Sequence, residues 1–318
     1  MGLDTKDKKL LSALDKNSRE SYVRLAKIVG LSKDAVKNRM KVYEKEGLVS
    51  GYYAQIDYSK LGFFTLRVYF DFTRTDLAKE EEMLLELSKL KEVWYLGRAE
   101  GSHQVHVGLY VKELSNYKEL WNMFKNKFGD YISNENHSIF LELTYFNRDY
   151  LLNKEKSDYK KIALSKPEEI KVDEKDLKIL EILSKNSREG IVDISPKIKL
   201  TPKAVILRIN RLEKLGILIG YKTKINLENL GYAHYKIDLE ISESKKKEEI
   251  RAEVFALKNI IYSEITLGGS DFEFDLECAN NEEFQKVLDI MKEKIGKNIK
   301  TLTFYKTRKV YKVDYFSI

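Results

Sequence analysis

The side chains best suited to chemistry in this sequence are basic and amide groups at helical spacing. At 100° per residue, Val36, Met40 and Tyr43 share one face and predict a buried stripe. The outward residues, with the residue that begins the helix, are Ser32, Lys33, Asp34, Lys37, Asn38, Lys41 and Lys45. Lysine neutralises phosphates, asparagine pairs bidentately with adenine, and a serine at a helix N-terminus donates to phosphate. The pattern predicts a helix that faces double-stranded DNA.

A second helix offers a similar outward set with two differences. Its expected DNA-facing residues are Thr201, Lys203, Asn210 and Lys214. Ile206 and Leu207 stand where the first helix has lysine and asparagine, and such an apolar pair either contacts thymine methyl groups or packs against protein. Pro196 falls inside the preceding short helix, which we expect to be shortened and restarted at Ser195. The first helix is therefore expected to carry most of the DNA affinity, with the second weakened or repurposed.

Signals for catalysis and metal binding are weak. His103 and His106 lie three apart in an expected strand, which predicts opposite faces, and no acidic residue has metal-ligand spacing beside them. A P-loop, a G-x-S-x-G turn and an H-E-x-x-H pair are absent from the sequence. The single cysteine, Cys278, cannot form an internal disulfide, which favours a reducing compartment. We expect no catalytic residue, no metal and no cofactor.

The elements that position these side chains occur twice. Aligning residues 3–72 with residues 172–241, an offset of 169, gives 24 identities in 70 pairs without a gap. The shared residues include the run N-S-R-E at 17–20 and 186–189. Solenoid repeats have periods of about 20–50 residues, so this offset indicates a duplicated module.

Each copy begins with three helices and changes period afterwards. Asp4 is the expected N-cap of the first helix, the second covers 22–29, and the third covers 33–46 after Ser32. This order predicts a helix-turn-helix, followed over 49–57 by a wing or hinge strand. Strands and helices then alternate as β-α-β-β-α-β, which is typical of a ferredoxin-like fold.

The predicted fold class is α+β, with two winged-helix-type helix-turn-helix domains that each precede a βαββαβ domain. The expected boundaries are 1–60 and 61–150 for the first copy, 151–171 for a linker, and 172–229 and 230–318 for the second copy. The formal charge is +7, and it divides as +5, 0, +3 and −1 over residues 1–60, 61–167, 168–229 and 230–318. The excess positive charge thus lies in the helical segments, as a DNA-binding module requires.

The N-terminal residues lack the apolar core of a signal peptide, and no stretch approaches 18 uncharged apolar residues. We therefore expect a soluble, cytoplasmic protein without a membrane partner.

The residues also resemble a known family. The run LDTKDKKLLSALDKNSRESYVRLAKIVGLSKDAVKNRMKVYEKEGLVSGYYAQIDYSKLG is similar to the N-terminal signature of Lrp/AsnC (feast/famine) transcriptional regulators, and the segment beginning VDEKDLKILEILSKNSREGI resembles it again. The resemblance implies a helix-turn-helix followed by a ligand-binding βαββαβ domain called RAM, which pairs with a second copy. It also implies a small effector such as an amino acid. With both halves in one chain, we expect a covalent pseudo-dimer that favours an asymmetric DNA site, with further homo-oligomers left open.

The same resemblance points to an effector turn, which the family commonly writes as Gly-x-x-Asp. The second copy has Gly268, Gly269, Ser270 and Asp271. In the first copy the matching stretch contains Gly101, Ser102 and His103, with the first glycine and the aspartate expected to be lost. A plain hairpin turn explains the same residue types.

Two other functions stay open. Siroheme decarboxylases resemble Lrp/AsnC proteins, and Arg98, His103 and His106 would be the residues of such an enzyme site. Alternatively, degenerate helix-turn-helix units serve assembly without DNA, a reading that Ile206 and Leu207 favour.

Overall fold

The computed structural model describes residues 2–153 and 159–316. The first copy begins with helices and continues with alternating strands and helices. Its helices are α1 (Thr5–Lys16), α2 (Tyr22–Val29), α3 (Lys33–Lys45), α4 (Leu77–Lys89) and α5 (Leu114–Phe128). Its strands are β1 (Val49–Ile56), β2 (Phe64–Phe72), β3 (Val93–Gly101), β4 (Val105–Val111), β5 (Ile132–Tyr145) and β6 (Lys160–Ala163).

The second copy repeats this order. Its helices are α6 (Glu174–Lys185), α7 (Ile191–Lys197), α8 (Pro202–Lys214), the one-turn α9 (Leu227–Leu230), α10 (Lys247–Phe255) and α11 (Asn281–Ile295). Its strands are β7 (Leu218–Ile225), β8 (Ala233–Ile241), β9 (Ile260–Leu267), β10 (Phe272–Cys278) and β11 (Ile299–Val313). The predicted α+β class and its duplication within the chain are confirmed.

The chain divides into two compact units, and each unit takes material from both copies. A helical unit contains α1 to β1 and α6 to α9, together with a segment that follows β5. A sheet unit contains β2 to β6 and β8 to β11 with their helices. Strand β6 lies within the expected linker 151–171 and pairs with β5, and residues 154–158 of that linker lie outside the described part.

In the helical unit, strands β1 and β7 form a two-stranded antiparallel ribbon. Tyr52 lies opposite Thr223 and Ala54 lies opposite Tyr221 in its register. The strand expected as a wing or hinge therefore pairs with its counterpart in the other copy.

The repeated N-S-R-E run joins the two copies beside this ribbon. The Ser18 and Ser187 hydroxyls lie 2.6 Å apart and are buried. Arg19 donates to the carbonyl of Ser187 and, at 3.2 Å, to that of Glu189. Arg188 makes the reciprocal bonds to the carbonyls of Ser18 and Glu20. The two halves thus meet through one pseudo-symmetric set of hydrogen bonds.

In the sheet unit, eight strands close on themselves. Their order is β2-β4-β3-β11-β8-β10-β9-β5, and β5 also pairs with β2. The long β5 and β11 bridge the two copies, because β5 pairs with β9 and β11 pairs with β3. Such closure removes exposed edges and makes alternate side chains face a common interior. On the outer face of the first copy, α4 and α5 pack around an apolar cluster that includes Phe70, Leu96, Val107, Leu84 and Trp121.

Helix α7 differs from the expectation. It begins at Ile191 and ends at Lys197, so Pro196 lies in its last turn, and a restart at Ser195 is wrong. The Ser195 hydroxyl donates to the carbonyl of Ile191 at 2.6 Å. The proline lacks the N–H that a helical residue donates to the carbonyl four positions back, and the helix ends one residue after it.

Among the described residues, none of the helices combines the length and the apolar character needed to cross a lipid bilayer.

A buried ion pair supports the helical unit and generates a stability prediction. Asp15 is fully buried, and its carboxylate lies 2.7 Å from Arg148 and 3.4 Å from Lys222. Asp15→Asn removes the buried carboxylate charge that these two cations share, so we expect a loss of about 3 kcal/mol in the free energy of unfolding, measured with urea. Ser184→Ala, the equivalent position in the second copy, is the control and should cost about 1 kcal/mol. Equal losses for both variants would contradict this role of Asp15.

Candidate nucleic-acid interface

Helix α3 presents the predicted polar face. The Ser32 hydroxyl caps the helix by accepting from the Ala35 N–H at 3.1 Å, and Val36, Met40 and Tyr43 are buried as expected. All the predicted first-copy interface residues are exposed: Ser32, Lys33, Asp34, Lys37, Asn38, Lys41 and Lys45. At 100° per residue the helical members span an arc of about 140°. Local sequence signals thus predicted both the boundary and the facing of this helix.

An arginine on the inner side of α3 fixes its orientation. Arg39 contacts Asp7 and lies 2.9 Å from Asp4 at the N-terminus of α1. The Tyr43 hydroxyl donates to Asp7 at 2.5 Å. Hydrogen bonding to Arg39 lowers the pKa of Asp4 to about 2, so this carboxylate stays ionised at neutral pH. Sequence reasoning missed this role, although Arg39 is one of the identities that the repeat preserves.

Helix α8 rests on an equivalent support. Thr201 caps it by accepting from the Ala204 N–H at 3.3 Å, and Arg208 lies 2.8 Å from both Asp173 and Asp176 of the α6 N-terminus. The predicted residues Thr201, Lys203, Asn210 and Lys214 are exposed. The caps and ion pairs that hold α3 and α8, hereafter the recognition helices, are therefore equivalent. The two helices differ in their exposed side chains.

The exposed lysines of α3 and α8 differ in their pairing from two lysines of helix α6. Across the described ranges, no carboxylate lies within ion-pair distance of the ammonium groups of Lys33, Lys37, Lys41, Lys45, Lys203 and Lys214. Elsewhere in the helical unit, Lys178 and Lys185 both pair with Glu181, at 2.6 and 2.7 Å. The six unpaired ammonium groups are free to contact phosphates.

The expected effector turns close one hairpin in each copy of the sheet unit. The strand registers align Gly101 with Gly268, and both have positive φ, 129° and 87°. A Cβ on either glycine would lie within 2.5 Å of a carbonyl oxygen in a strand of the other copy, at Phe304 or His137. The expectation that the first copy loses the first glycine is therefore wrong, because the sequence alignment there was one residue out of register.

The position of the motif's aspartate has the same structural role in both copies. Asp271 accepts from the Ile241 N–H at 2.9 Å, and Gln104 accepts from the Phe72 N–H at 2.8 Å. Ser102 donates its N–H to Phe304 at 3.0 Å, and the Ser270 N–H donates to Glu273 at 3.2 Å. These bonds fix the turns against neighbouring strands. A cavity of about 720 Å³ lies elsewhere in this unit, between α4 and α5, and its walls contain none of the turn residues.

Of the three residues considered for an enzyme site, the two histidines come together and Arg98 lies apart. The rings of His103 and His106 both contact Tyr69, so the expectation that they lie on opposite faces is wrong. Arg98 contacts Glu80 of α4 and lies on the helix-covered face of β3. His106 lies on the barrel side, where its Nδ1 is 2.9 Å from the Tyr305 hydroxyl, and burial lowers its pKa well below the ordinary value. His103 stacks on Tyr69 with ring centroids 4.7 Å apart. Within the described residues, no three His, Cys, Asp or Glu side chains form a metal site.

The barrel interior contains a charge cluster that sequence reasoning missed. Arg67 contacts Glu273 and lies 3.0 Å from Glu264, while Lys236 contacts Glu264 and lies 3.2 Å from Asp275. All of these side chains are at most one-tenth exposed. Charged residues alternate with apolar ones along β8 and β10, a pattern that normally indicates a solvent-exposed face. Here closure of the barrel buries that face.

Arg67 and Lys236 hold the pKa of Glu273 below its ordinary value although burial opposes them. Asp238 responds in the opposite direction. Burial raises its pKa to about 7, and the nearby Glu273 carboxylate acts in the same direction.

Comparison with known proteins identifies relatives of each half. The model of the AsnC-type helix-turn-helix domain matches residues 3–44 and again residues 172–213. The HTH-type transcriptional regulator LrpA of Pyrococcus abyssi is 30% identical over 131 residues, which is 40% of this chain and 86% of LrpA. The leucine-responsive regulatory protein of Haemophilus influenzae is 32% identical over 117 residues, 36% of this chain and 70% of that protein.

One solved structure is similar over the whole length. The siroheme decarboxylase NirDL matches 99% of this chain and 96% of its own, with a TM-score of 0.66 and 12% sequence identity. At this identity the match establishes a shared fold and no more.

The raised pKa of Asp238 generates a pH prediction. Below about pH 4, Asp238 is protonated in both the folded and the unfolded protein. Between about pH 4 and pH 7 the unfolded chain loses this proton, at the ordinary pKa of 3.8, while the folded protein keeps it, so the free energy of unfolding decreases as pH rises. Asp238→Asn stays neutral, so its unfolding free energy relative to wild type should rise by roughly 4 kcal/mol over that interval. Urea unfolding at pH 4 and at pH 8, which bracket this interval, measures the difference.

The control for this measurement is Asp289→Asn, since Asp289 is exposed on α11. Its stability should follow the wild-type pH profile. An Asp238→Asn profile parallel to wild type would show that Asp238 is ionised in the folded protein.

Proposed function

The chain belongs to the Lrp/AsnC family of transcriptional regulators, and from this premise we propose that it binds duplex DNA sequence-specifically, as a covalent pseudo-dimer. One chain supplies both helix-turn-helix units, so a second chain is not required to complete the DNA-binding unit. The observation that carries the proposal is the set of six exposed lysines on α3 and α8 that have no acidic partner in the described chain, grouped with Asn38 and Asn210 on the outward faces of the two helices. We propose no catalytic activity.

The two units contribute unequally in this proposal. Helix α3 offers Lys33, Lys37, Lys41 and Lys45 to the DNA, whereas α8 offers Lys203 and Lys214. Each ammonium that neutralises a phosphate adds to affinity through counterion release. The first unit therefore supplies most of the affinity, and the preferred DNA site is asymmetric.

A small effector, such as an amino acid, belongs to the same proposal. Its site would involve Gly268, Gly269, Ser270 and Asp271, with Gly101, Ser102 and His103 as the first-copy counterpart. The turns connect strands that pair across the two copies, so a ligand there would act on the pairing of the halves.

A second candidate function is favoured by the whole-chain match to NirDL, which suggests a reaction on tetrapyrrole carboxylates. Against it, Arg98 and His106 lie on opposite faces of the sheet, and desolvation lowers the pKa of the His106 imidazole well below its ordinary value. A third candidate is a role in protein assembly without DNA. Wild-type protein that binds neither duplex DNA nor a tetrapyrrole would favour it.

Two lysines of α3 provide the principal test. Lys37→Ala combined with Lys41→Ala removes two phosphate contacts, so the slope of log affinity against log salt should decrease by about 2. Fluorescence anisotropy with a duplex selected from a random library measures this slope. The control is Lys178→Ala with Lys185→Ala, because these lysines of α6 are already paired with Glu181. An unchanged slope in the α3 variant would contradict the assignment of this face to DNA.

Titration with small molecules separates the remaining proposals. In calorimetric titration with a panel of free amino acids, we expect binding heat from at least one member. We expect the absorbance spectrum of an iron tetrapyrrole to stay unchanged when the protein is added. No heat from the panel would remove the effector proposal. A tetrapyrrole spectral shift in a protein that binds no DNA would establish the second candidate instead.

A further inference from the structure

Helix α8 exposes two adjacent apolar side chains at the centre of its outward face. Ile206 is 45% exposed and Leu207 is 61% exposed. The equivalent positions of α3 hold Lys37 and Asn38, which are also exposed. A change from two polar groups to two apolar groups on a solvent-exposed helix costs favourable hydration, so a contact that uses these groups is expected.

The support of α8 shows that this surface is presented in the same way as that of α3. Thr201 caps the helix, Val205 and Ile209 fill its buried stripe, and Arg208 fixes it to Asp173 and Asp176. These contacts orient α8 on its unit as the equivalent contacts orient α3. The apolar pair therefore replaces polar contacts at the same place relative to a bound duplex.

The surroundings of the pair indicate its partner. Lys203 and Lys214 flank it on the same face without an ion-pair partner among the described residues, and Asn210 follows one turn later. This surface has an apolar centre and a basic border. The major groove of DNA complements both, because it exposes the C5 methyl group of thymine and has phosphates along its two edges. An apolar protein surface would satisfy the pair but not the two ammonium groups.

We propose that Ile206 and Leu207 contact thymine methyl groups, so that the second helix-turn-helix selects a thymine-containing half-site. The inference rests on the proposed DNA-binding function and adds a specificity to it. The first unit reads its half-site through the amide of Asn38, with Lys37 on a phosphate beside it. The second unit contributes less affinity and reads shape and methyl groups, which gives the two half-sites different sequences.

The test replaces thymine by deoxyuridine, one position at a time, in a duplex selected with the full-length protein. This change removes the methyl group and leaves every base-pairing atom in place. At one or two thymines of the second half-site, affinity should fall roughly fourfold per methyl, the equivalent of burying one methyl-sized group. In Leu207→Ala the penalty at the contacted thymine should disappear, as a double-mutant cycle requires. Asn38→Ala, the matched position of the first copy, should keep the penalty.

The outcomes separate this inference from the function on which it rests. Wild-type protein that selects no duplex at all would contradict DNA binding itself. Tight binding with no uracil penalty, or a penalty that persists in Leu207→Ala, would contradict only the thymine contact. Self-association that Leu207→Ala abolishes, measured by light scattering without DNA, would assign the pair to a protein contact and overturn the inference.

Discussion

The helical unit depends on the reciprocal joining of the two copies at the N-S-R-E runs and the β1–β7 ribbon. Each strand of this ribbon pairs only with the other in the described chain, and Arg19 and Arg188 each satisfy two carbonyls of the opposite copy. Separating the halves would break all of these hydrogen bonds at once, so the joining of the two copies stabilises the unit. Within it, helices α3 and α8 are oriented by the ion pairs of Arg39 and Arg208.

Fusion also explains how the two halves became different. In a homodimer every substitution appears twice, and a buried carboxylate would face its own copy across the axis. Here Arg67 and Lys236 occupy equivalent positions, but Asp238, Glu264, Glu273 and Asp275 all come from the second copy. Arg67 supplies a cation to these carboxylates from the first copy. The same freedom accounts for a lysine-rich recognition helix in one half and an apolar pair in the other.

The parts of the fold predicted correctly from sequence depend on local signals. Ser32 and Asp4 fixed helix starts because capping involves residues three positions apart, and the N-terminal boundary of α3 agrees with its expectation. Ribbon pairing, barrel closure and burial of the β8 and β10 charges were not predicted, since each depends on partners more than a hundred residues away. The misaligned stretch at Gly101 has the same cause. A glycine is required there because the carbonyl oxygen of the distant Phe304 lies where a Cβ would be.

We propose that one chain forms a complete, asymmetric DNA-binding unit. Light scattering of the protein–DNA complex, combined with a footprint on both strands of a library-selected duplex, tests this proposal. We expect one chain per duplex and two protected segments of unequal sequence and unequal salt sensitivity. Two chains bound to two identical, symmetric half-sites would contradict it.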